Sequence, residues 1–242
     1  MAKMTKRERV LATINHQETD RVPLYDLMLN DDCIEYFAGA YPPYGEEGAR
    51  LQAQAVDRML DMARGVGAAP SQPPVDFTDD PTLLEYARYS SITYKHNAFR
   101  SYEESVEWVK SQNLALSKWK EGFNAKQIGE NTRKHFERLY SWMSEDHTIC
   151  CLHQSGVGLD DIRGRMGIEY FSYLDADGPG LISEYLELCT EREEAIIHAI
   201  SDPEISIFAL TFGDIAMKDK LLHSPEWLRR EFFPRLKRLN DA

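Results

Sequence analysis

The strongest chemical signals in this chain sit where apolar runs end. In "FALTFGD" Asp214 follows the last apolar run, and a carboxylate just beyond a buried strand is placed to meet a ligand, because loops held by rigid scaffolds carry most binding and catalytic groups. The competing reading is local, a bond from Asp214 to Lys218 in "FGDIAMK". Asp26 lies inside the apolar run "VPLYDLML" and offers a second carboxylate, as a substrate contact or as a solvated or paired residue. The run from Thr148 to Leu152 ends in His153 and Gln154, an imidazole that can exchange a proton near neutral pH beside an amide that can orient a substrate. His147, Cys151 and His153 alternate and would share one face of an ideal strand, and imidazole with thiolate is a zinc-type ligand set. Against that, His147 falls at the start of the run and Cys150 and Cys151 read as small buried residues, so no metal is expected in this chain.

The Gly-rich stretch "GVGLDDIRGRMG" raises the question of an anion cradle. It lacks the Lys-Ser/Thr of a phosphate loop and the spacing of a dinucleotide fingerprint. Asp160, Asp161 and Arg163 are expected in a solvated turn, with Asp161 within reach of a ligand.

The elements that would position these groups follow a β-then-α rhythm, which points to a parallel α/β fold. Thr5 three residues before Glu8 is a capping box for a short opening helix. A strand is expected at about 23–29, a second within 59–66, a third at 148–152 and a last one in "EISIFALTFGDIA". Between them lie a helix from Glu46, a second capping box (Ser101 with Glu104), a helix over roughly 125–144 and an amphipathic helix from Pro179 with Tyr185, Cys189, Ile196 and Ile200 on one face. Residues of about 70–100 break the rhythm. A Pro-rich loop there leads into a Tyr/Ser/Thr-rich stretch that reads as a small antiparallel insertion. Ser224 and Pro225 begin a final helix, with the cations of "RREFFPRLKR" expected on its exposed side. The four Trp residues fit helix faces, in core or interface.

A formal charge of −12 argues against nucleic acid and anionic membranes as main partners, and 43% apolar residues suffice for a sizeable core in one domain spanning 1–242. The N-terminus reads as amphipathic and charged, unlike a signal peptide, and no run approaches the roughly 18 apolar residues of a membrane span. Four Cys with an adjacent pair imply no disulfide framework. A cytoplasmic location is expected.

"MTKRERVLATINHQETDRVPLY", "GRMGIEYFSYL" and "FGDIAMKDKLLHSPEWLRREFFPRLKRL" together resemble the uroporphyrinogen decarboxylase superfamily, which includes the haem-pathway decarboxylase and the cobalamin- or corrinoid-linked methyltransferases. The resemblance implies a TIM (β/α)8 barrel of which this chain is the N-terminal part, incomplete at its C-terminus and inactive alone. It places Asp214 and Asp26 in catalytic roles and His153, Gln154, Arg64, Lys218 and Asp161 in substrate binding. It also implies zinc and a corrinoid for a full-length form, with zinc ligands on strands beyond this chain. A small-molecule or corrinoid-protein methyl donor is the implied partner, with a homodimer or a complementary C-terminal half completing the barrel.

Two departures separate the branches. Where the decarboxylase carries an Arg-rich loop for a substrate covered in carboxylates, this chain has "YDLMLNDDC" with Asp26, Asp31 and Asp32, which would repel a polyanion. Where the decarboxylase has an Asp at the tip of its second strand, "LDMARGV" puts Arg64, with Asp61 earlier. The expectation is therefore a corrinoid-linked methyltransferase or demethylase-like enzyme. The alternatives are a true uroporphyrinogen decarboxylase of tetrapyrrole biosynthesis, a carboxy-lyase needing no cofactor, and an inactive fragment or non-enzymatic partner subunit.

Overall fold

A computed structural model of the chain describes residues 3–71, 84–85, 88–89, 93–94 and 99–242. It is mixed α/β, dominated by helices, with a few short parallel strands. The helix α1 (Lys6–Ile14) starts at the expected capping box: Thr5 accepts from the Glu8 N–H, and the Glu8 carboxylate accepts from Thr5 at 2.8 Å. Strand β1 (Tyr25–Asp26), helices α2 (Asp31–Ala38) and α3 (Glu46–Met59), and strand β2 (Met62–Ala63) follow. Alanines 49, 53 and 55 let α3 lie close to its neighbours.

The insertion contains an antiparallel pair, β3 (Leu84–Glu85) with β4 (Thr93–Tyr94), as its composition suggested; most of the Pro-rich loop before it lies outside the described residues. Helix α4 (Tyr102–Leu116) is capped by Ser101, but the Glu104 carboxylate accepts from Arg100, not from Ser101, so the expected box is half formed. Helix α5 (Ala125–Tyr140) ends before the expected 144. Then come β5 (Ile149–Cys150), β6 (Gln154–Gly156), α6 (Leu159–Asp177), α7 (Pro179–Ile200) and β7 (Leu210–Phe212). Asp160, Asp161 and Arg163 lie in the opening turns of α6, where a solvated turn was expected; the two acids favour that end of a helix because its free N–H groups carry positive potential.

β1 pairs with β2 and β2 with β5, both parallel, and β6 pairs in parallel with β7. Cys151 donates to Ala63 (2.8 Å), extending the β2–β5 pairing, and bonds from Leu152 to Phe208 (3.0 Å) and from Leu210 to His153 (2.9 Å) link the segment between β5 and β6 to the approach to β7. β1, β2 and β5 thus run side by side in chain order, and β6, which follows β5 on the same segment, lies beside β7, as parallel strands joined by helical crossovers do. Among the described residues they do not close into a barrel. The first strand differs from expectation. It is two residues long, not about seven, and Tyr25 and Asp26 are both exposed, with β2 pairing along one edge.

The core lies in three clusters. The largest joins α4, α6, α7 and the last helix around Leu186, Phe171, Trp227 and Phe232. Others fill the space between α2, α3 and β2 and between β5 and α5. The last helix begins at Ser224 and Pro225 as expected, with α8 (Pro225–Trp227), a π turn (Leu228–Phe232) and α9 (Phe233–Asp241) in succession. Pro234 accounts for the π turn: it has no N–H and its ring crowds the carbonyl of Arg230, so the helix widens. Its cations are not all solvated. Arg235 is buried, held by Glu231 at 3.0 Å and Glu187 at 3.1 Å, and so clamps the helix to α7.

Candidate functional site

The C-terminal ends of the parallel strands collect most of the polar residues singled out above. Arg64 directly follows β2, and its guanidinium donates to Gln154 Oε1 on β6 at 3.3 Å. Arg64 makes no ion pair among the described residues. Asp26 ends β1 beside them, its carboxylate accepting from the Leu27 N–H at 2.7 Å and its backbone oxygen facing the Arg64 N–H. Parallel register brings Asp26, Arg64 and Gln154 to one end of the sheet.

His153 lies between β5 and β6. Its Nε2 is 2.8 Å from Glu193 Oε2 on α7, which also meets Arg192. Burial opposes the charge on Glu193, but the hydrogen bond and field of His153, with Arg192, outweigh it and hold the carboxyl below the usual carboxylate range. Next to this pair a cleft of about 110 Å³ is lined by Gln154, Asp160, Asp161, Arg192, Glu193 and Phe212. Burial and the neighbouring Asp160 push the Asp161 carboxyl up, against the pull of Arg192.

Asp214 is placed at this cleft through its backbone. Its N–H donates to both oxygens of Asp160, at 3.1 and 3.2 Å, while Asp160 also holds Arg163 at 2.6 Å. The local Asp214–Lys218 bond does not form. Lys218 sits in an exposed tip closed by the Ala216–Leu221 bridge.

The three residues weighed as metal ligands do not converge. His147 stacks on Tyr140 with ring centres 4.0 Å apart, at the other end of β5. The Cys151 thiol bonds the His153 carbonyl at 3.1 Å, and burial raises its pKa, as burial raises that of Cys150 to about 12, so both remain thiols. Among the described residues, no group of three His, Cys, Asp or Glu side chains is arranged to hold a metal ion. Asp61 is not at the strand tips either. It is fully buried at the opposite end of β2, bound by Arg9 and Arg21.

No family model, curated protein or solved structure matches the chain.

The reading of the sequence overlooked Glu193, Arg192 and Asp160 as site residues. Glu193 had one legible signal: it stands one helical turn after Cys189, on the stripe that continues to Ile196 and Ile200, and an acid on an apolar face needs a partner.

Proposed function

We propose that this chain is the leading part of an enzyme of the uroporphyrinogen decarboxylase superfamily, a TIM barrel in its full-length form, acting as a corrinoid-linked methyltransferase or demethylase on a small molecule at the strand tips. One observation carries the reading. Parallel register brings Asp26 and Arg64 to the C-terminal ends of β1 and β2, where such barrels keep their sites, and Gln154, which follows β5 and opens β6, bonds Arg64 there. Asp214, His153 and Asp161 border the same end, with Asp214 and Asp26 in the catalytic roles. Arg64, without a carboxylate partner, is suited to an anionic group on the ligand. Lys218 belongs to this reading as a ligand contact supplied by the tip after β7.

The Arg64 guanidinium, without an ion pair among the described residues and set near several acids, fits a ligand with one or two anionic groups better than a substrate covered in carboxylates, which favours methyl transfer over porphyrinogen decarboxylation. Zinc and a corrinoid belong to the full-length form of this proposal. The described residues do not offer zinc a ligand set. Exposed Tyr25 and Phe212 on the strands, with Leu24 just before β1, support association with a second copy or a complementary C-terminal half. No helix among the described residues is long and apolar enough to cross a membrane, and we place the enzyme in the cytoplasm.

Binding separates the readings, since the chain is expected to be inactive alone. Calorimetric titration should detect methylcobalamin binding, weakened on Arg64→Ala, and native mass spectrometry should find dimers. Binding of uroporphyrinogen instead would favour the decarboxylase. If neither binds, the proposal fails and the non-enzymatic partner subunit takes its place.

A further inference from the structure

The parallel strands form four lanes: β1, β2, the segment carrying β5 and β6, and β7, with β5 pairing on β2 and β6 on β7. Among the described residues both outer lanes are open. The Leu24 and Asp26 carbonyls accept from Met62 and Arg64 at 3.0 and 3.4 Å, so by the alternation of a strand the Tyr25 N–H and carbonyl point away from β2. At the other edge the Leu210 N–H donates to His153, so those of Thr211 point away from β6. Unpaired edges of this kind are templates for another strand.

The lanes also share an uncovered face. On a flat sheet the first and last lanes would stand about 14 Å apart. The rings of Tyr25 on β1 and Phe208 on the approach to β7 nevertheless meet edge-on at 6.3 Å, so the sheet bends toward the face these rings share. Tyr25 and Phe212 remain 45% and 47% exposed. A barrel of eight parallel strands is filled by inward side chains from every strand, and four lanes are half that number. The two edges also carry complementary charge. Asp26 and Asp32 follow β1, while Lys218 and Lys220 flank Asp219 in the exposed tip after β7, and neither these two cations nor Asp26 and Asp32 form an ion pair among the described residues. Asp31 is already taken by Arg88 at 3.1 Å, and the Asp214 backbone is held at Asp160 on α6. Where β7 runs parallel to β1 of another copy, these two loops lie side by side at the C-terminal ends of the strands.

We propose that a second copy of this chain closes the barrel, four lanes from each copy, with β7 of each running parallel to β1 of the other and a two-fold axis along the barrel. Rotation by half a turn makes the two junctions identical and leaves no edge open. The inference deepens the association proposed above; it rests on the barrel reading and not on methyl transfer.

The test follows the unmodified chain by native mass spectrometry and amide hydrogen exchange across a dilution series. Dimers are expected, with the Tyr25 and Thr211 amides both exchanging at least about tenfold more slowly in the dimer than after dilution to monomer. Lys220→Glu should raise the dimer dissociation constant about tenfold, because the charge change is present at both junctions, and adding Asp32→Lys should restore it. A monomer at every concentration would overturn the proposal and give the edges to a complementary C-terminal half. A dimer in which either amide stays unprotected would overturn it too, since closure uses both edges. No weakening by Lys220→Glu would overturn the placement of β7 beside β1. Methylcobalamin binding is read separately: a dimer with both amides protected that binds no methylcobalamin would remove the methyl-transfer reading alone.

Discussion

Arg9 Nη1 and Asp61 Oδ1 meet at 2.6 Å, with side chains only 4% and 0% exposed. Arg21 takes the other carboxylate oxygen at 2.6 Å and the Leu24 N–H donates to it at 2.8 Å, so one buried acid ties α1, the approach to β1 and the start of β2 together. Removing one partner of such a cluster strands the others without compensation. Asp61→Ala should cost about 3–5 kcal/mol, read as a lower urea midpoint at unchanged slope. A loss under about 1 kcal/mol would mean that Arg9 is satisfied by Asp20 alone.

The contrast between Thr5 and Asp61 marks what could be read in advance. The Thr5–Glu8 box and the Ser224–Pro225 start are local bonds within four residues, and the sequence spells out both partners. The stripe on α7 is also legible, because helical period alone brings Tyr185, Cys189 and Ile200 to one face. Strand length is not legible in the same way. β1 is short because pairing extends only where β2 offers a parallel neighbour, and that register is set by tertiary structure. Asp61 looked like a displaced strand-tip acid, since nothing nearby in sequence reveals that Arg9 covers it. Of the candidate site, His153 and Gln154 were legible as polar residues after an apolar run, Asp26 as an acid inside one and Asp161 within a Gly-rich stretch, while Arg64 entered through the resemblance; Glu193 reaches His153 from 40 residues away.

Arg235 offers a second test of a long-range pairing. Its guanidinium reaches Glu231 and Glu187, and also Ser183 at 3.1 Å, with Glu231 itself buried. Arg235→Ala should therefore cost about 3–5 kcal/mol, most of it from the abandoned Glu231 carboxylate. The double change Arg235→Met with Glu231→Leu removes both charges and should recover most of that loss in a thermal melt. Equal destabilisation by the single and double changes would show that packing, not charge, dominates there.

Gly158 precedes α6 at φ +82°, in the left-handed region, and a Cβ there would lie 2.8 Å from Cys189 Sγ and 3.1 Å from the Tyr185 ring. Gly158→Ala combines backbone strain with overpacking and should cost about 2–4 kcal/mol. Because Asp160 and Asp161 follow within one turn, the same change should displace the cleft that Glu193 shares. Backbone amide shifts at Asp214, which donates to Asp160, provide the readout, and unchanged Asp214 shifts would contradict the coupling.

His223 gives the chain a pH dependence of known sign. Its Nε2 accepts from Arg163 Nη1 at 3.1 Å, its ring stacks on Trp227 with centres 4.3 Å apart, and Phe171 packs edge-on. Burial and the Arg163 charge lower its pKa, against the pull of Asp175. The folded state therefore binds fewer protons than the unfolded chain just below the ordinary histidine value of about 6.5, and stability rises with pH in that window. The contribution is complete above that value and fades as pH falls through it, when a protonated ring would oppose the Arg163 guanidinium. His223→Gln keeps an acceptor but cannot take up the proton, so its urea midpoint should vary less with pH below 6.5 than that of the unmodified chain. His135, also depressed, contributes to both proteins and cancels in the comparison. Parallel midpoint curves for the two proteins would show that His223 titrates alike in folded and unfolded states, which the Arg163 contact should prevent.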